Sequence, residues 1–250
     1  MSVSPGPAAP PHLSIIIPAL NEAGNIRRLI GAIPTQLPSV SNISIIVVDN
    51  GSADQTADEA HQAGAIVVHE PRRGYGYACA AGVAASETAD VLLFLDGDGS
   101  FDPAELPLLI HPIVEGQADL VLGSRSRQID PGAMPPHQRF GNQLVSHLMR
   151  LLYRLKVTDL GPYRAVRRDY LLELDMREMT FGWPTEMMVK AAQRDFRIVE
   201  VPVHYRKRWS GHSKVSGTLR GSLLATYFIL GVTLRYAFVP SNSLKVRPKR

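Results

Sequence analysis

Short apolar runs punctuate the first half of this chain, at 13–17, 43–48, 65–68, 91–95 and 120–122. Each is rich in Ile, Val and Leu without polar alternation, the pattern of a strand covered on both faces. Between them lie stretches of helical character at 22–33, 54–63, 75–86 and 103–115. Asp102-Pro103-Ala104-Glu105 reads as a helix start: a capping acid, proline at the first helical position, then an acid in the first turn. Alternating strand and helix predicts βαβ units, hence an α/β fold with a Rossmann-like, mostly parallel sheet flanked by helices.

The second half is less regular. Residues 124–138 read as a polar, proline-containing loop, 140–155 as an amphipathic helix, 163–166 as a short strand and 169–174 as a helix. A helix over 186–194 and a strand over 197–205 follow, the proline inside that strand placing it near a sheet edge. An apolar stretch at 222–239 precedes a basic tail at 245–250. Residues 1–12 are rich in Pro, Ser, Ala and Gly and lack the basic and apolar regions of a signal peptide, so they read as a flexible tail.

Composition adds two constraints. At 250 residues and 45% hydrophobic, the chain can bury a core without staples. Its one cysteine, Cys79, excludes an intrachain disulfide framework and a Cys-based zinc cluster, and points to a reducing compartment. The net charge of +4 conceals a split: residues 1–138 hold 6 Lys/Arg against 15 Asp/Glu, and residues 139–250 hold 21 against 8. An acidic half joined to a basic half suggests two kinds of partner.

The densest chemical signal is Leu93-Phe94-Leu95-Asp96-Gly97-Asp98-Gly99-Ser100, where a buried strand runs into two carboxylates. Open parallel sheets carry their ligand sites at the carboxyl ends of strands, and two adjacent carboxylates repel unless a cation joins them. A hard divalent ion, Mg²⁺ or Mn²⁺, shared with substrate phosphates meets that need. The small Gly97 lets a ligand approach the backbone. Val47-Val48-Asp49-Asn50-Gly51-Ser52-Ala53-Asp54 places Asp49 at a second strand end, and Pro18-Ala19-Leu20-Asn21-Glu22 closes the first. Three strands thus deliver Glu22, Asp49 and the Asp96/Asp98 pair to one rim. Arg73, beside a helix opened by Gly74, is placed to hold an anion. Gly74-x-Gly76 lacks the third glycine of a dinucleotide fingerprint, Cys79 standing there, and no P-loop motif is present. Arg125, Arg164 and the run Arg206-Lys207-Arg208-Trp209-Ser210-Gly211-His212-Ser213-Lys214 supply cations suited to phosphate oxygens. No nucleic-acid-binding motif accompanies them. His69, His111, His147 and His204 show no metal-binding spacing and read as structural or surface residues.

These segments in this order resemble a family 2 glycosyltransferase of the GT-A fold, and within it the polyprenyl-phosphate, dolichol-phosphate mannose synthase-like enzymes. The likeness also rests on Gly123-Ser124-Arg125, on Asp159-Leu160-Gly161-Pro162-Tyr163-Arg164 and on Glu200-Val201-Pro202-Val203 followed by Arg208 through Lys214. The resemblance implies a catalytic domain over 13–216, divided into a nucleotide-sugar-binding half (13–123) and an acceptor-binding half (124–216). It implies that Pro18, Leu20, Glu22 and Asp49 hold the base and ribose, and that Asp96 and Asp98 hold metal and diphosphate. Arg125 would meet an acceptor phosphate, and Arg208 with Lys214 would hold phosphates as a C-terminal loop closes. Asn50 replaces the second Asp of a frequent pair. Ser100 stands where some relatives carry a Gln metal ligand, with water as its substitute.

The implied reaction is inverting transfer of a hexose from a nucleotide-sugar to polyprenyl phosphate. The same fold acting on a sugar or lipid hydroxyl is the alternative, and there a base is required. Glu186, in Trp183-Pro184-Thr185-Glu186, falls where such relatives keep one, although its position also suits an acid at a helix N-terminus. A non-catalytic nucleotide- or membrane-binding protein and a sugar-1-phosphate nucleotidyltransferase are further readings. The apolar stretch is interrupted by Arg235 and flanked by basic residues, so 217–250 reads as an interfacial helix and tail on anionic lipid. A true membrane span over 222–239, and a core or homodimer helix, are its other readings. The expected location is peripheral, on the cytoplasmic face of the cell membrane.

Overall fold

Four of the five apolar runs of the first half form inner strands of one sheet; the run at 65–68 instead forms an edge strand with Ile66 exposed, so it is not covered on both faces. The non-alternating pattern of the inner strands has a direct cause. In strand β1 (His12–Ala19), Leu13, Ile15 and Ile17 point into one hydrophobic cluster and Ile16 into another on the opposite face. The computed structural model describes residues 9–211 and 219–237; Lys214 and the basic tail lie outside them. The other strands are β2 (Asn42–Asp49), β3 (Ile66–His69), β4 (Val91–Phe94), β5 (Leu120–Ile129), β6 (Arg164–Arg167) and β7 (Ile198–Tyr205). They form a seven-stranded sheet ordered β3-β2-β1-β4-β6-β5-β7. Helices α1 (Ile26–Ala32), α2 (Thr56–Gln62) and α4 (Leu106–Val114) cover one face. Helices α3 (Tyr75–Ala84), α5 (Pro136–Tyr153) and α7 (Trp183–Gln193) cover the other. The short α6 (Arg168–Glu173) follows β6.

Strands β1 to β4 are mutually parallel, and β5 runs parallel to β7. Strand β6 is inserted between β4 and β5 and runs against both. Its reversal brings its first residue, Arg164, to the rim where the parallel strands end, opposite Phe94 and Leu122. Because β6 comes from the second half and sits inside strands of the first, the two halves share one sheet.

Two element bounds need correction. The loop expected over 124–138 is in large part strand: β5 continues to Ile129, pairing with β7 through a register shift between Ser124 and Gln128. Those residues are polar, so hydropathy is silent, and the neighbouring strand supplies the order. The first helix begins at Ile26 rather than residue 22, because the Glu22 carbonyl accepts from the amides of Asn25 and Ile26 in a turn. That turn leaves the Glu22 side chain in a loop above the sheet. Asp102 does cap its helix, accepting from the Ala104 amide at 3.1 Å, and leads through a 3-10 turn into α4. Strand β7 lies at the sheet edge, as its proline requires.

The apolar C-terminal stretch forms helix α8 (Leu219–Ala237). Among the described residues, no helix is long and apolar enough to cross a membrane. Helix α8 leans on α5 and α7: Tyr153 Oη donates to the Thr233 carbonyl, and Gln193 Nε2 to the Tyr236 carbonyl at 2.8 Å.

Candidate functional site

Where β1 and β4 end, their following loops open a cleft of about 510 Å³. Pro18, Leu20, Glu22, Arg73, Asp96, Gly97 and Asp98 line it, seven of the eight residues expected to hold the donor, and Arg208, expected to hold phosphate, joins them. Asp49 closes β2 on the same rim but turns away: Oδ1 accepts from the Ser52 amide at 3.0 Å and Oδ2 contacts His69 Nδ1 at 3.3 Å. Ser100 is not brought to the cleft wall either. It is buried, its amide donating to Asp98 Oδ1 at 2.9 Å.

Asp96 is the member of the pair whose ionisation is disfavoured. Burial, and next the charge of Asp98, push the Asp96 carboxyl up to about 7, with Arg125 opposing and Glu22 adding to the rise. Tyr75 Oη lies 3.5 Å from Asp96 Oδ1. Among the described residues no group of three or more His, Cys, Asp or Glu side chains gathers to hold a metal. Two hard carboxylates with excess negative charge, facing an open cleft, suit Mg²⁺ or Mn²⁺ completed by substrate oxygens and water.

Arg208 reaches this cluster from the loop after β7. Its Nη2 donates to both Glu22 oxygens, at 2.9 and 2.8 Å, and its Nη1 lies 3.7 Å from Asp98 Oδ2. The loop is pinned by the Arg206 amide on the Ser100 carbonyl and the Trp209 amide on the Asp98 carbonyl. Trp209 sits directly over Gly99, whose φ of +74° and lack of a Cβ are both needed there. The guanidinium of Arg28 stacks 4.1 Å from the Trp209 ring centre.

Several wall residues were not anticipated. Asn50 Nδ2 donates to the carbonyls of Glu70 and Arg72, and its Oδ1 accepts from the Gly74 amide at 2.9 Å. Only an amide both gives and takes in this way, which explains why Asn stands where an Asp was expected. Thr180 and Phe181 line the cleft because Gly74 and Gly76 let the 178–179 backbone pack on the start of α3; a Cβ at Gly76 would collide with Met179. Leu224 and Phe228 of α8 complete the wall.

Arg125 lies beside this cleft. It is held by Asp159, with Nε and Nη2 each donating at 2.7 Å and the Arg125 amide donating at the same distance. Burial alone would lower the Arg125 pKa; the Asp159 charge overrides it and holds the guanidinium above its ordinary value. Arg125 borders two further cavities. One, of about 480 Å³, is lined by Arg139, His147 and Arg150 together with Asn142 and Gln143. The other, of about 180 Å³, is a largely apolar groove between α5 and α8, lined by Leu144, Val145, Leu160, Ile229 and Leu230 among others. The spacing of Arg139, Gln143, His147 and Arg150 places them on one helical face, a signal readable once the helix is assigned. His147 therefore belongs to a cavity wall.

Two other expectations change. Arg164 is fully buried: it donates to the Pro184 carbonyl at 2.7 Å and to the Gly161 carbonyl, and burial draws its pKa down to about 10. It does not reach a cavity wall as a phosphate ligand would. Glu186 is also fully buried and accepts from the amides of Arg177 and Glu178, from Lys190 Nζ at 2.7 Å and from Tyr236 Oη at 2.6 Å. With its oxygens occupied in this way, it is an acid in the first turn of α7 that ties down a loop and α8.

Comparison with known proteins gives the following. The model of Glycosyl transferase family 2 matches residues 14–175. A glycosyltransferase of Mycobacterium tuberculosis is 41% identical over 213 residues, 85% of this chain and 94% of that protein. The undecaprenyl-phosphate mannosyltransferase of Micrococcus luteus is 31% identical over 236 residues, covering 88% and 94%. The crystal structure of glucosyl-3-phosphoglycerate synthase from Mycobacterium tuberculosis, in complex with Mn²⁺, UDP and phosphoglyceric acid, superposes with a TM-score of 0.75. It is 23% identical and the match covers 92% of this chain and 80% of that one.

Proposed function

Because this chain belongs to glycosyl transferase family 2, we propose that it moves a hexose from a nucleotide-sugar to a polyprenyl phosphate, inverting the anomeric carbon. The observation that carries the acceptor is the place of Arg125: a cation beside the carboxylate cleft, where a basic cavity meets an apolar groove. A phosphate with a hydrocarbon chain matches that junction. The name of the Micrococcus luteus relative, an undecaprenyl-phosphate mannosyltransferase, agrees.

In this reading Pro18, Leu20, Glu22 and Arg73 cradle a GDP-mannose- or UDP-glucose-type donor, with Asp49 supporting the rim. Asp96 and Asp98 hold Mg²⁺ or Mn²⁺ on the diphosphate, Ser100 ordering Asp98 through its amide. Mn²⁺ and UDP in the glucosyl-3-phosphoglycerate synthase crystals are consistent with this. Such an ion supplies charge neutralisation at the leaving diphosphate. The acceptor phosphate oxygen forms the new bond to the anomeric carbon from the face opposite the diphosphate, whose C–O bond breaks with its electron pair. An ionised phosphate brings no proton to remove, so no general base is needed; the engaged state of Glu186 supports this over a hydroxyl acceptor. Arg125 and Arg208 offset repulsion between the two anions, and Lys214, outside the described residues, is assigned with them. The nucleotide-sugar-binding half, 13–123, serves the donor and 124–216 the acceptor, while 217–250 rests on the cytoplasmic face of the membrane as a peripheral anchor.

The test is transfer from radiolabelled GDP-mannose and UDP-glucose, with Mg²⁺ or Mn²⁺, to polyprenyl phosphate or to hydroxyl acceptors. Nucleoside diphosphate and a lipid-linked sugar are the expected products; release of pyrophosphate, or transfer only to hydroxyls, would refute the reading. Asp98→Ala should lower the rate by about a hundredfold or more and remove its metal dependence.

A further inference from the structure

An asparagine at the start of a helix ordinarily turns its side chain back to cap the first turn. Asn25 stands at that position of α1, yet among the described residues its side chain bonds Glu22 and Ser210 instead. We propose that Asn25 is a positioning residue for sugar transfer: it clamps the loop after β7 to the carboxylate rim and so sets where Arg208 stands in the cleft. The proposal rests on the reading above for the task of Arg208, and it adds a residue to that reading.

Asn25 is 2% exposed, so its amide has to find its partners within the protein. Nδ2 donates to Glu22 Oε2 at 2.8 Å and to the Ser210 carbonyl at 3.3 Å, while Oδ1 accepts from Ser210 Oγ at 2.7 Å. One amide thus grips a side chain of the donor rim together with the carbonyl and hydroxyl of a residue 185 positions away. The reverse orientation would aim the amide oxygen at a carboxylate, so only this one is tolerated. Arg208 uses the same two acceptors. Its Nε donates to the Ser210 carbonyl at 2.7 Å and its Nη2 to Glu22 Oε2 at 2.8 Å.

The clamp leaves the guanidinium a short range of travel. Nη1 lies 3.7 Å from Asp98 Oδ2, so the group stands between Glu22 and the carboxylate pair. To meet phosphate oxygens at that pair it need only turn about its own side chain. The backbone beyond it is fixed at Ser210 by Asn25, and Trp209 is fixed over Gly99. Arg28, also from α1, stacks on Trp209 and braces the same loop. A loop held at these points presents an oriented cation, whereas a loose one has to be ordered during the reaction. Charge on the leaving diphosphate grows as its bond to the sugar breaks, so a well-placed cation acts mainly on kcat.

Asn25→Ser and Asn25→Asp in the full chain test this, since both replacements cap helices well but neither has an amide to bridge Glu22 and Ser210. With radiolabelled GDP-mannose or UDP-glucose and polyprenyl phosphate, each should lower kcat about tenfold or more per folded molecule. Donor KM should change about twofold or less. Acrylamide quenching of Trp209 fluorescence should rise in both; Trp183, the other tryptophan, is buried and contributes little. Ser210→Ala, on the exposed side of the loop, should lower kcat about threefold and raise quenching. Added to Asn25→Ser it should lower the rate no further, because the two changes remove the same bond. Wild-type kcat and quenching in Asn25→Asp would overturn the proposal and leave Asn25 a helix cap. Additive effects of the two single variants overturn it too, as does a rate loss that vanishes once folded protein is counted. Where the Asn25 variants fail to fold, Ser210→Ala decides by the same two readouts, unchanged values overturning the clamp. Wild-type protein that transfers no sugar refutes the proposed function instead, and the quenching comparison still decides the clamp.

Discussion

Asp159 and Arg125 form a buried pair whose energetics are those of a positioning device. The carboxylate is 1% exposed and the guanidinium 15%, and Asp159 also takes the Arg125 amide. Burial would raise the Asp159 pKa, but the Arg125 charge and hydrogen bonds override it and hold the carboxyl below its ordinary value. A carboxyl whose folded pKa is depressed stabilises the fold fully above its unfolded value of about 3.9, and that contribution is lost as pH falls through the lower folded value. Thermal melts of wild type should therefore fall below about pH 4 more steeply than those of Asp159→Asn. At neutral pH Asp159→Ala should cost about 3–5 kcal/mol by leaving a buried cation unpaired, measurable by denaturant unfolding. Equal acid slopes in the two proteins would argue that the pair is too solvated to matter.

At the scale of elements, one buried residue of α7, Glu186, is among the ties that fasten α8 to the helices covering the sheet. Glu186 joins Lys190, the 177–178 backbone and Tyr236, and Lys190 also donates to the Asp175 carbonyl at 2.6 Å. Glu186→Gln replaces an acceptor oxygen with a donor that faces other donors, so part of the network must break. We expect the melting temperature to fall by roughly 10 °C or more, while transfer per folded molecule is unchanged. A general base would give the opposite result, an intact melt and a lost rate. The acid was visible in the chain as a helix-start residue. Its partners were not, because Tyr236 comes from an element 50 residues away. Strand β5 teaches the same lesson: Gln128 and Ile129 look like loop until β7 is laid beside them.

The charge division along the whole molecule maps onto the site only in part. The carboxylates of the cleft come from the acidic half, but Thr180, Phe181, Arg208, Leu224 and Phe228 from the basic half complete its walls. Conversely Arg125, from the acidic half, borders both the basic cavity beside α5 and the apolar groove between α5 and α8. Donor binding should therefore stabilise the entire fold rather than one half. At a hundredfold excess over Kd, nucleotide-sugar with Mn²⁺ should add about 2.7 kcal/mol, a rise of roughly 5–10 °C in a single transition. Two separated transitions, or a rise indifferent to chelator, would contradict a shared metal-dependent site.

Much of this molecule is written in contiguous residues. Buried strands, helix starts and the Asp96-Gly97-Asp98 turn were readable from the chain because hydrophobic period and turn chemistry act over a few neighbours. So were eight of the cleft-lining residues, since strand ends in a parallel sheet must meet on one rim. The remainder depends on pairs distant in sequence. Arg125 and Asp159 are 34 residues apart, and Arg208 and Glu22 are 186 apart. The reversal of β6, which buries Arg164 at the rim, has no local signature because Arg-Ala-Val-Arg pairs equally well in either direction. Which arginine faces a phosphate and which supports the backbone follows from the packing around each, since both begin as the same charge.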